Sequence, residues 1–324
     1  MRPKLLHAVA LAAVLACAPT TVAAQDYPTR PITFLVAAAP GGGSDTIARA
    51  FSSLLERELK QPVNVVNRTG GSGVVGHSAI ANAPPDGYTI GVATIEITVF
   101  KSIGLAEITP ASFTLVARIA AFDSAVIVST DSPYKTAAQL RDAIVKGEDG
   151  KFKAGGSGQG GSWHMALGGW LKSEGMSATK VRWVPSAGGA ASLQELVAGG
   201  IDFATCSAVE ARALAEAGKV RVLATMGSQR TEIMPNVPTL KEATGSSWEM
   251  GSWFSIVGPK GIDPKALAVL AAATKSVHES AAFRAFLKER GFTPVWETGD
   301  TFVKYASKTT VDLGDVLGAL GLRK

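Results

Sequence analysis

Short apolar runs rich in β-forming residues alternate along the chain with segments whose apolar residues recur every three or four positions. The run at 32–36, for example, precedes a segment in which Ile47, Phe51, Leu55 and Leu59 fall on one face of a helix. Alternating strand and helix signals of this kind favour an α/β architecture. The strands predicted from these runs are 32–36, 63–66, 88–92, 126–128, 152–154, 181–184, 201–204, 220–224 and 253–257.

The order of these elements predicts two lobes. Residues 32–92 are typical of a βαβαβ unit with parallel strands, because each strand is almost continuously apolar, as in a sheet that is covered on both faces. A similar unit begins near Ala125. The helical patterns that start near 265, 281 and 301 need a sheet to pack on, and we expect them to return to the first lobe.

This order also predicts where the chain crosses between the lobes. We expect the first lobe at 25–122, the second lobe at 123–249 and the return to the first lobe at 250–324. Two segments then cross from lobe to lobe, one near 120–127 and one near 248–257. Two parallel crossings of this kind are able to act as a hinge.

The N-terminus has the features of an export signal. A basic start at Arg2 and Lys4 is followed by an apolar run over 5–16 and by small residues before a cleavage site ahead of Gln25. The apolar run is shorter than the roughly 20 residues that a membrane-spanning helix needs. We therefore predict a signal peptide over 1–24 and a mature protein in the periplasm.

Charge and cysteine content exclude several classes of protein. The formal net charge of +5 falls to +3 when the signal is removed, and this scattered charge does not favour nucleic-acid binding. Only Cys206 remains after cleavage, so no internal disulfide forms, and we expect it as a small buried residue. Cys17 lies in a sequence that resembles a lipoprotein processing site, so a lipid anchor there is the alternative. No cluster of His, Cys and carboxylate residues has the spacing of a metal site.

Two glycine-rich turns, one in each predicted lobe, join a strand to a helix. Glycine lets the backbone approach a ligand closely, and the helix N-terminus that follows offers unpaired N–H groups and a partial positive charge that favour an anion. Because ligands of open α/β sheets bind beyond the carboxyl ends of strands, the pair predicts a clamp for one small anion. Ordinary capped turns are the alternative. The turns are Pro40-Gly41-Gly42-Gly43-Ser44-Asp45 and Gly155-Gly156-Ser157-Gly158-Gln159-Gly160-Gly161-Ser162, with Trp163 adjoining the second.

An exported enzyme is the hypothesis from a different class. Segments 71–76 and 156–161 match G-x-G-x-x-G, but this match is weak by itself, and pyridine dinucleotides are cytoplasmic. No G-x-S-x-G elbow occurs, and His164, at a helix start beside the second turn, is more typical of a structural histidine than of a catalytic base. We therefore predict no catalysis and no cofactor.

Several motifs spread over the mature chain occur together in one known family. The opening combines Tyr27-Pro28-Thr29-Arg30-Pro31-Ile32 with Pro40-Gly41-Gly42-Gly43-Ser44-Asp45-Thr46-Ile47-Ala48-Arg49. Further matching stretches lie at 61–63, 67–68, 83–89, 199–202, 217–221 and 235–239. With these motifs the chain resembles the tripartite tricarboxylate transporter receptor family, also called the Bug family.

The resemblance implies a type II periplasmic solute-binding protein, a two-lobe α/β Venus flytrap with two crossing hinge segments. Such a protein captures a small carboxylate for membrane permease subunits, and we expect it to be a monomer. The alternative function is that of an exported enzyme or a sensor that acts on a small organic acid. In the family, the turns that match 40–46 and 156–164 hold a ligand carboxylate through backbone N–H groups, hydroxyls and ordered water. The ligand contacts predicted here are Pro40, Gly41, Gly42, Gly43, Ser44, Asp45, Thr94, Glu96, Ser157, Gly158, Gly161, Ser162, Trp163, Ser186, Gly188, Gly189 and Ser207.

Three departures from the family pattern change the expected ligand. The segment 185–189 lacks the aromatic residue and the cation that family members commonly have there. Glu96 stands where small polar residues are usual, and Glu210 follows Cys206 in a region that often starts with Asp. If Glu96 and either Asp123 or Glu210 line the cleft, the pocket is too acidic for a tricarboxylate and fits one carboxylate with a distal amine, amide or hydroxyl. Solvated loop positions for Glu96 and Asp123 are the alternative.

Overall fold

The computed structural model of the protein describes residues 27–324. The predicted signal peptide at 1–24, the cleavage site ahead of Gln25 and the alternative lipid anchor at Cys17 lie outside the described residues. Within the described range, no helix combines the length and the apolar character that a membrane span needs.

Strands and helices alternate through most of the chain, as the apolar pattern predicts. The strands are β1 (Ile32–Val36), β2 (Val63–Asn67), β3 (Thr89–Ala93), β4 (Phe113–Ser129), β5 (Lys153–Gly155), β6 (Arg182–Val184), β7 (Phe203–Ser207), β8 (Val220–Thr225), β9 (Gly251–Pro259) and β10 (Thr293–Glu297). The helices are α1 (Gly43–Leu59), α2 (Val74–Ala81), α3 (Ala137–Lys146), α4 (Ser162–Ser173), α5 (Gly189–Val197), α6 (Ala208–Glu216), α7 (Leu240–Thr244), α8 (Pro264–Glu279), α9 (Ala281–Arg290) and α10 (Gly299–Ala319).

The first lobe is built on β1, β2 and β3. β1 lies between the other two and is parallel to both, so the predicted βαβαβ unit is confirmed. β9 extends this sheet by pairing antiparallel with β3, and it pairs on its other side with β4. The apolar face of α1 is fully buried against the sheet, and the ring of Phe51 contacts the ring of Phe283 in α9 at 5.3 Å between centroids. This packing places the start of α1 at the carboxyl ends of the parallel strands.

The second lobe repeats this design on a smaller sheet. β5 lies between β6 and β7 and is parallel to both, while β7 and β8 each pair antiparallel with β4. Trp170 of α4 is fully buried and meets Phe203 of β7 edge-on at 6.4 Å between centroids. The start of α4 therefore also lies at the carboxyl ends of parallel strands.

β4 is longer than the sequence predicts, and it connects the two sheets. Its register with β9 runs from Phe113 to Asp123, and its pairing with β7 begins at Ser124. The sequence predicted only a strand at 126–128, because charged residues interrupt the apolar pattern before it. One of these, Arg118, is satisfied by a bidentate ion pair with Glu297 of β10, at 2.7 and 3.0 Å.

The last helix differs from the expectation that the C-terminal helices pack only on the first lobe. α8 and α9 do pack on α1. α10, however, contacts both β4 and α4, so it joins the two lobes. At its start Phe302 meets Trp253 of β9 at 5.6 Å between centroids. Just beyond its end, Leu320 packs so closely on Gly168 of α4 that an added Cβ at this glycine would lie 3.0 Å away.

Candidate functional site

One cavity of about 500 Å³ is lined by both glycine-rich turns. The structure therefore brings together residues from both lobes that are far apart in the chain. The predicted contacts that line the cavity are Gly43, Ser44, Thr94, Glu96, Ser157, Gly158, Gly161, Ser162, Trp163, Ser186, Gly188 and Ser207. The predicted contacts that the structure places outside the lining are Pro40, Gly41, Gly42, Asp45 and Gly189.

The first turn is shaped by a buried carboxylate. Asp45 is only 3% exposed, and it accepts hydrogen bonds from the backbone N–H of Gly41 at 2.9 Å, from Arg49 at 3.0 Å and from Asn67 at 2.9 Å. Burial alone raises the pKa of Asp45, but the bonds from Arg49, Gly41 and Asn67 together lower it below its usual value. The carboxylate is therefore used to hold the turn, and the N-terminus of α1 at Gly43 faces the cavity instead.

The second turn is braced by two stacked rings. The backbone N–H of Gly160 donates to Nδ1 of His164 at 3.0 Å, and the imidazole stacks on Trp183 with 4.6 Å between centroids. The indole N–H of Trp183 donates in turn to the carbonyl of Ser157 at 3.2 Å. Burial lowers the pKa of His164 to about 4, so the ring is neutral and Nδ1 accepts. His164 thus has a structural role, in agreement with the sequence interpretation.

Close packing explains one glycine in the second turn. A Cβ on Gly156 would lie 2.0 Å from the carbonyl oxygen of Thr205 in β7 and 2.7 Å from Cβ of Trp163. The hydroxyl of Thr205 also donates to the carbonyl of Trp163 at 2.8 Å, which fixes the first turn of α4 against β7. Trp163 is 8% exposed, lines the cavity and meets Phe122 edge-on at 6.0 Å.

Two carboxylates predicted near the cleft do line the cavity, but their environments differ. Glu96, just after β3, accepts a hydrogen bond from the hydroxyl of Ser162 across the cavity. Glu210 accepts from the N–H and the hydroxyl of Ser207, at 3.3 and 2.9 Å, and so completes the capping box of α6. Burial raises the pKa of Glu210, although the hydrogen bonds from Ser207 oppose the shift. A Cβ on Gly189 would lie 2.4 Å from this carboxylate, so Glu210 also fixes the start of α5.

Asp123, which the sequence left as either a cleft residue or a solvated loop residue, does not line this cavity. It lies in a second cavity of about 400 Å³, together with Glu249 and residues of α10. Its neighbour on β4, Phe122, lines both cavities. Burial and the charge of Glu249 raise the pKa of Asp123 to about 6. Trp253 of β9 is 1% exposed and lies outside the lining of the first cavity.

His77 is among the polar residues of the lining that the sequence did not predict. Its Nδ1 lies 2.8 Å from the carbonyl of Gly73, so this nitrogen carries the proton, and Nε2 is buried without a hydrogen-bond partner among the described residues. Burial lowers the pKa of His77, although the bond to Gly73 and the charge of Glu96 oppose the shift. The glycine-rich segment at 71–76, which directly precedes His77, was the sequence signal for this residue. It was interpreted above only as a weak dinucleotide motif.

The rest of the lining is largely apolar. Within the described part of the chain, the lining includes no Lys and no Arg. The donors suited to an anion are the N-termini of α1 and α4 and the serine and threonine hydroxyls, and the carboxylates of Glu96 and Glu210 also lie in the lining. The apolar wall consists of Val99, Phe100, Ile103, Leu105, Phe122, Trp163, Val209, Phe254 and Phe292.

Comparisons with known proteins agree with this architecture. The family model for the tripartite tricarboxylate transporter family receptor matches residues 47–322. A UPF0065 protein in the gbd 5' region of Cupriavidus necator is 29% identical over 316 residues, which cover 96% of this chain and 93% of that protein.

Two solved structures share the fold. A TctC solute binding protein from Polaromonas is 30% identical with a TM-score of 0.74, over 90% of this chain and 99% of that chain. An R. palustris protein determined with adipate is 26% identical with a TM-score of 0.80, over 91% of this chain and 99% of that chain. The two-lobe binding-protein fold is therefore confirmed. Because the family model spans most of the residues, the chain belongs to the tripartite tricarboxylate transporter receptor family.

Proposed function

We propose that the protein is an extracytoplasmic receptor that captures a small carboxylate-bearing molecule in the cavity between its lobes. The observation that carries this proposal is the meeting of two helix N-termini, one from each lobe, at a single cavity. Helix N-termini favour negative charge through unpaired N–H groups and the helix dipole. The adipate in the R. palustris structure supports the same class of ligand.

The ligand carboxylate binds between the first turn of α1 and the second glycine-rich turn. Gly43 and Ser44 supply the N-terminus of α1, and Ser157 and Gly158 lie on the opposite side of the cavity. The buried Asp45, paired with Arg49, and the stacked His164 hold these two turns in place, so little conformational entropy is lost when the anion binds. The apolar wall accommodates the rest of a small organic acid.

Closure of the lobes completes the site. We infer the lobes as 25–122 with 250–324 and 123–249, hinged where β4 changes its pairing partners and where the chain enters β9. A ligand that contacts both lobes favours the closed state because only that state offers both sets of contacts. The closed receptor then delivers its ligand in the periplasm to the permease subunits of a tripartite tricarboxylate-type transporter.

A thermal-shift screen tests the capture step. The protein, stripped of carried-over ligand by unfolding and refolding, is heated with mono-, di- and tricarboxylates, amino acids and aromatic acids. A ligand at 100 times its dissociation constant stabilises the fold by about 2.7 kcal/mol, which raises the melting temperature by about 4 °C for a chain of this size. If no carboxylate shifts the transition of well-folded protein, the proposal is wrong. Loss of cellular uptake of that carboxylate on deletion of the receptor gene tests the partnership with the transporter.

A further inference from the structure

The lining of the cavity carries a negative charge that a carboxylate receptor does not need. Glu96 comes from the turn after β3, and its carboxylate accepts the hydroxyl proton of Ser162 at the N-terminus of α4. Among the described residues that line the cavity, no Lys or Arg is present to neutralise it. The N-terminus of α4 therefore has an anion beside it within the lining, whereas Asp45, the carboxylate in the first turn of α1, is paired with Arg49 and lies outside the lining.

The second carboxylate in the lining does not have the same freedom. Glu210 holds the N-terminus of α6 through both the N–H and the hydroxyl of Ser207. Glu96 makes one hydrogen bond, to Ser162, through Oε1. Since an ionised carboxylate has about four acceptor positions, Glu96 retains capacity for donors that a ligand brings.

His77 adds a second acceptor to the same lining. Because Nδ1 donates to the carbonyl of Gly73 at 2.8 Å, Nε2 of the neutral ring is an acceptor. That nitrogen is buried and without a partner in the described part of the chain, and the residue is 2% exposed. Because this nitrogen has almost no accessible surface, a donor on a bound ligand reaches it only if neighbouring side chains move.

We infer that, within the proposed carboxylate receptor, the cavity selects a zwitterion: a carboxylate for the α1 side, an apolar body, and an ammonium or amidinium group for Glu96. A dicarboxylate of the same length places its second anion against Glu96 without a cation in the lining, so like-charge repulsion rejects it. The apolar wall, which includes Phe100, Phe254 and Phe292, fits an aliphatic or aromatic spacer between the two charged ends.

Two matched sets of ligands test this selectivity by isothermal titration calorimetry at pH 7.5. The linear set is 6-aminohexanoate, hexanoate and adipate; the aromatic set is 4-(aminomethyl)benzoate, 4-methylbenzoate and terephthalate. In each set one carboxylate is constant and only the distal group changes. We expect the amine to bind most tightly and the dicarboxylate least tightly in at least one set, with at least about a tenfold difference between them.

The isosteric variant Glu96→Gln assigns the effect to one residue. The variant keeps a side-chain oxygen that accepts the Ser162 hydroxyl. We expect it to lower the affinity for the amine by at least about tenfold and to raise the affinity for the dicarboxylate. The affinity for the methyl analogue should be nearly unchanged. Glu107→Gln is the matched control, because the Glu107 side chain is 84% exposed and pairs with Lys101. It should change none of the affinities.

The outcomes separate this inference from the proposed function. If the dicarboxylates bind the wild-type protein more tightly than the amines, the zwitterion inference is overturned and carboxylate capture stands. If none of the six compounds binds folded protein, the zwitterion inference is overturned, and the thermal-shift screen decides whether carboxylate capture stands. The ranking of ligands on the wild-type protein decides the question even if Glu96→Gln does not fold.

Discussion

His164 makes the stability of this protein depend on pH in a way that a single substitution should remove. In the folded protein its pKa is lowered to about 4 by burial, whereas in the unfolded chain it is about 6.5. Between these values the unfolded chain binds a proton that the folded protein does not. Stability is therefore unaffected by His164 above pH 6.5, falls as the pH decreases toward 4, and levels off below that. At pH 5 this one residue should account for a loss of about 2 kcal/mol.

The variant His164→Asn separates titration from structure. The Asn side-chain oxygen occupies nearly the position of Nδ1, so it continues to accept the N–H of Gly160, but it does not titrate. His164→Ala also abolishes titration, yet it leaves that N–H without its partner. We expect both variants to lose less stability than the wild type between pH 7.5 and pH 5, and only His164→Ala to weaken ligand binding through a loosened second turn.

Urea unfolding at the two pH values measures this difference. The pKa values of His77 and His278 are also lowered by burial, so the wild type and the variants share a background loss on acidification. The quantity to compare is the change in unfolding free energy from pH 7.5 to pH 5. If the wild type and His164→Asn lose the same amount, His164 is not held as a buried neutral acceptor and the account of the second turn is wrong.

Three further tests use substitutions of residues that pack or carry charge in and around the two lobes. Gly156→Ala should destabilise the fold by about 1–3 kcal/mol in thermal denaturation, because its Cβ would lie 2.0 Å from a carbonyl oxygen of β7, whereas Gly158→Ala, with open space around it, should not. Glu297→Gln should cost about 3 kcal/mol by leaving the buried Arg118 guanidinium without its anion, and Arg118→Met in the same chain should recover part of this loss. Asp123→Asn should raise stability at pH 7.5 by as much as about 3 kcal/mol, because burial and a nearby carboxylate raise the pKa of Asp123 to about 6, above its value of about 3.9 in the unfolded chain. The gain should shrink as the pH falls through 6 and vanish below about pH 4.

Local sequence patterns were sufficient to predict the helices whose N-termini lie at the cavity. Glycine runs after apolar strands predicted where α1 and α4 begin, because chain breaks and helix starts depend on neighbouring residues. The apolar periodicity of α1 also predicted its buried face. Most of the cavity lining in the two glycine-rich turns follows from these local features.

Contacts between residues far apart in the chain determined the features that the local sequence pattern did not predict. Arg118 interrupts an apolar run and so obscures β4, yet it is neutralised by Glu297, which lies 179 residues away in the chain. α10 packs on both lobes because Leu320 meets a glycine of α4, a contact that no periodicity within α10 specifies.

The roles of the acidic residues also depended on tertiary structure. Asp45, Glu96, Asp123 and Glu210 are the same kind of group in the sequence, and all four were candidates for the cleft. Asp45 holds its own turn and Asp123 faces another cavity. Glu96 and Glu210 both line the first cavity, but Glu210 caps a helix, whereas Glu96 makes one hydrogen bond. The sequence determined that carboxylates would follow these strands. Only the folded arrangement of strand faces and hydrogen-bond donors decided which of them is able to meet a ligand, because that depends on neighbours brought together from distant parts of the chain.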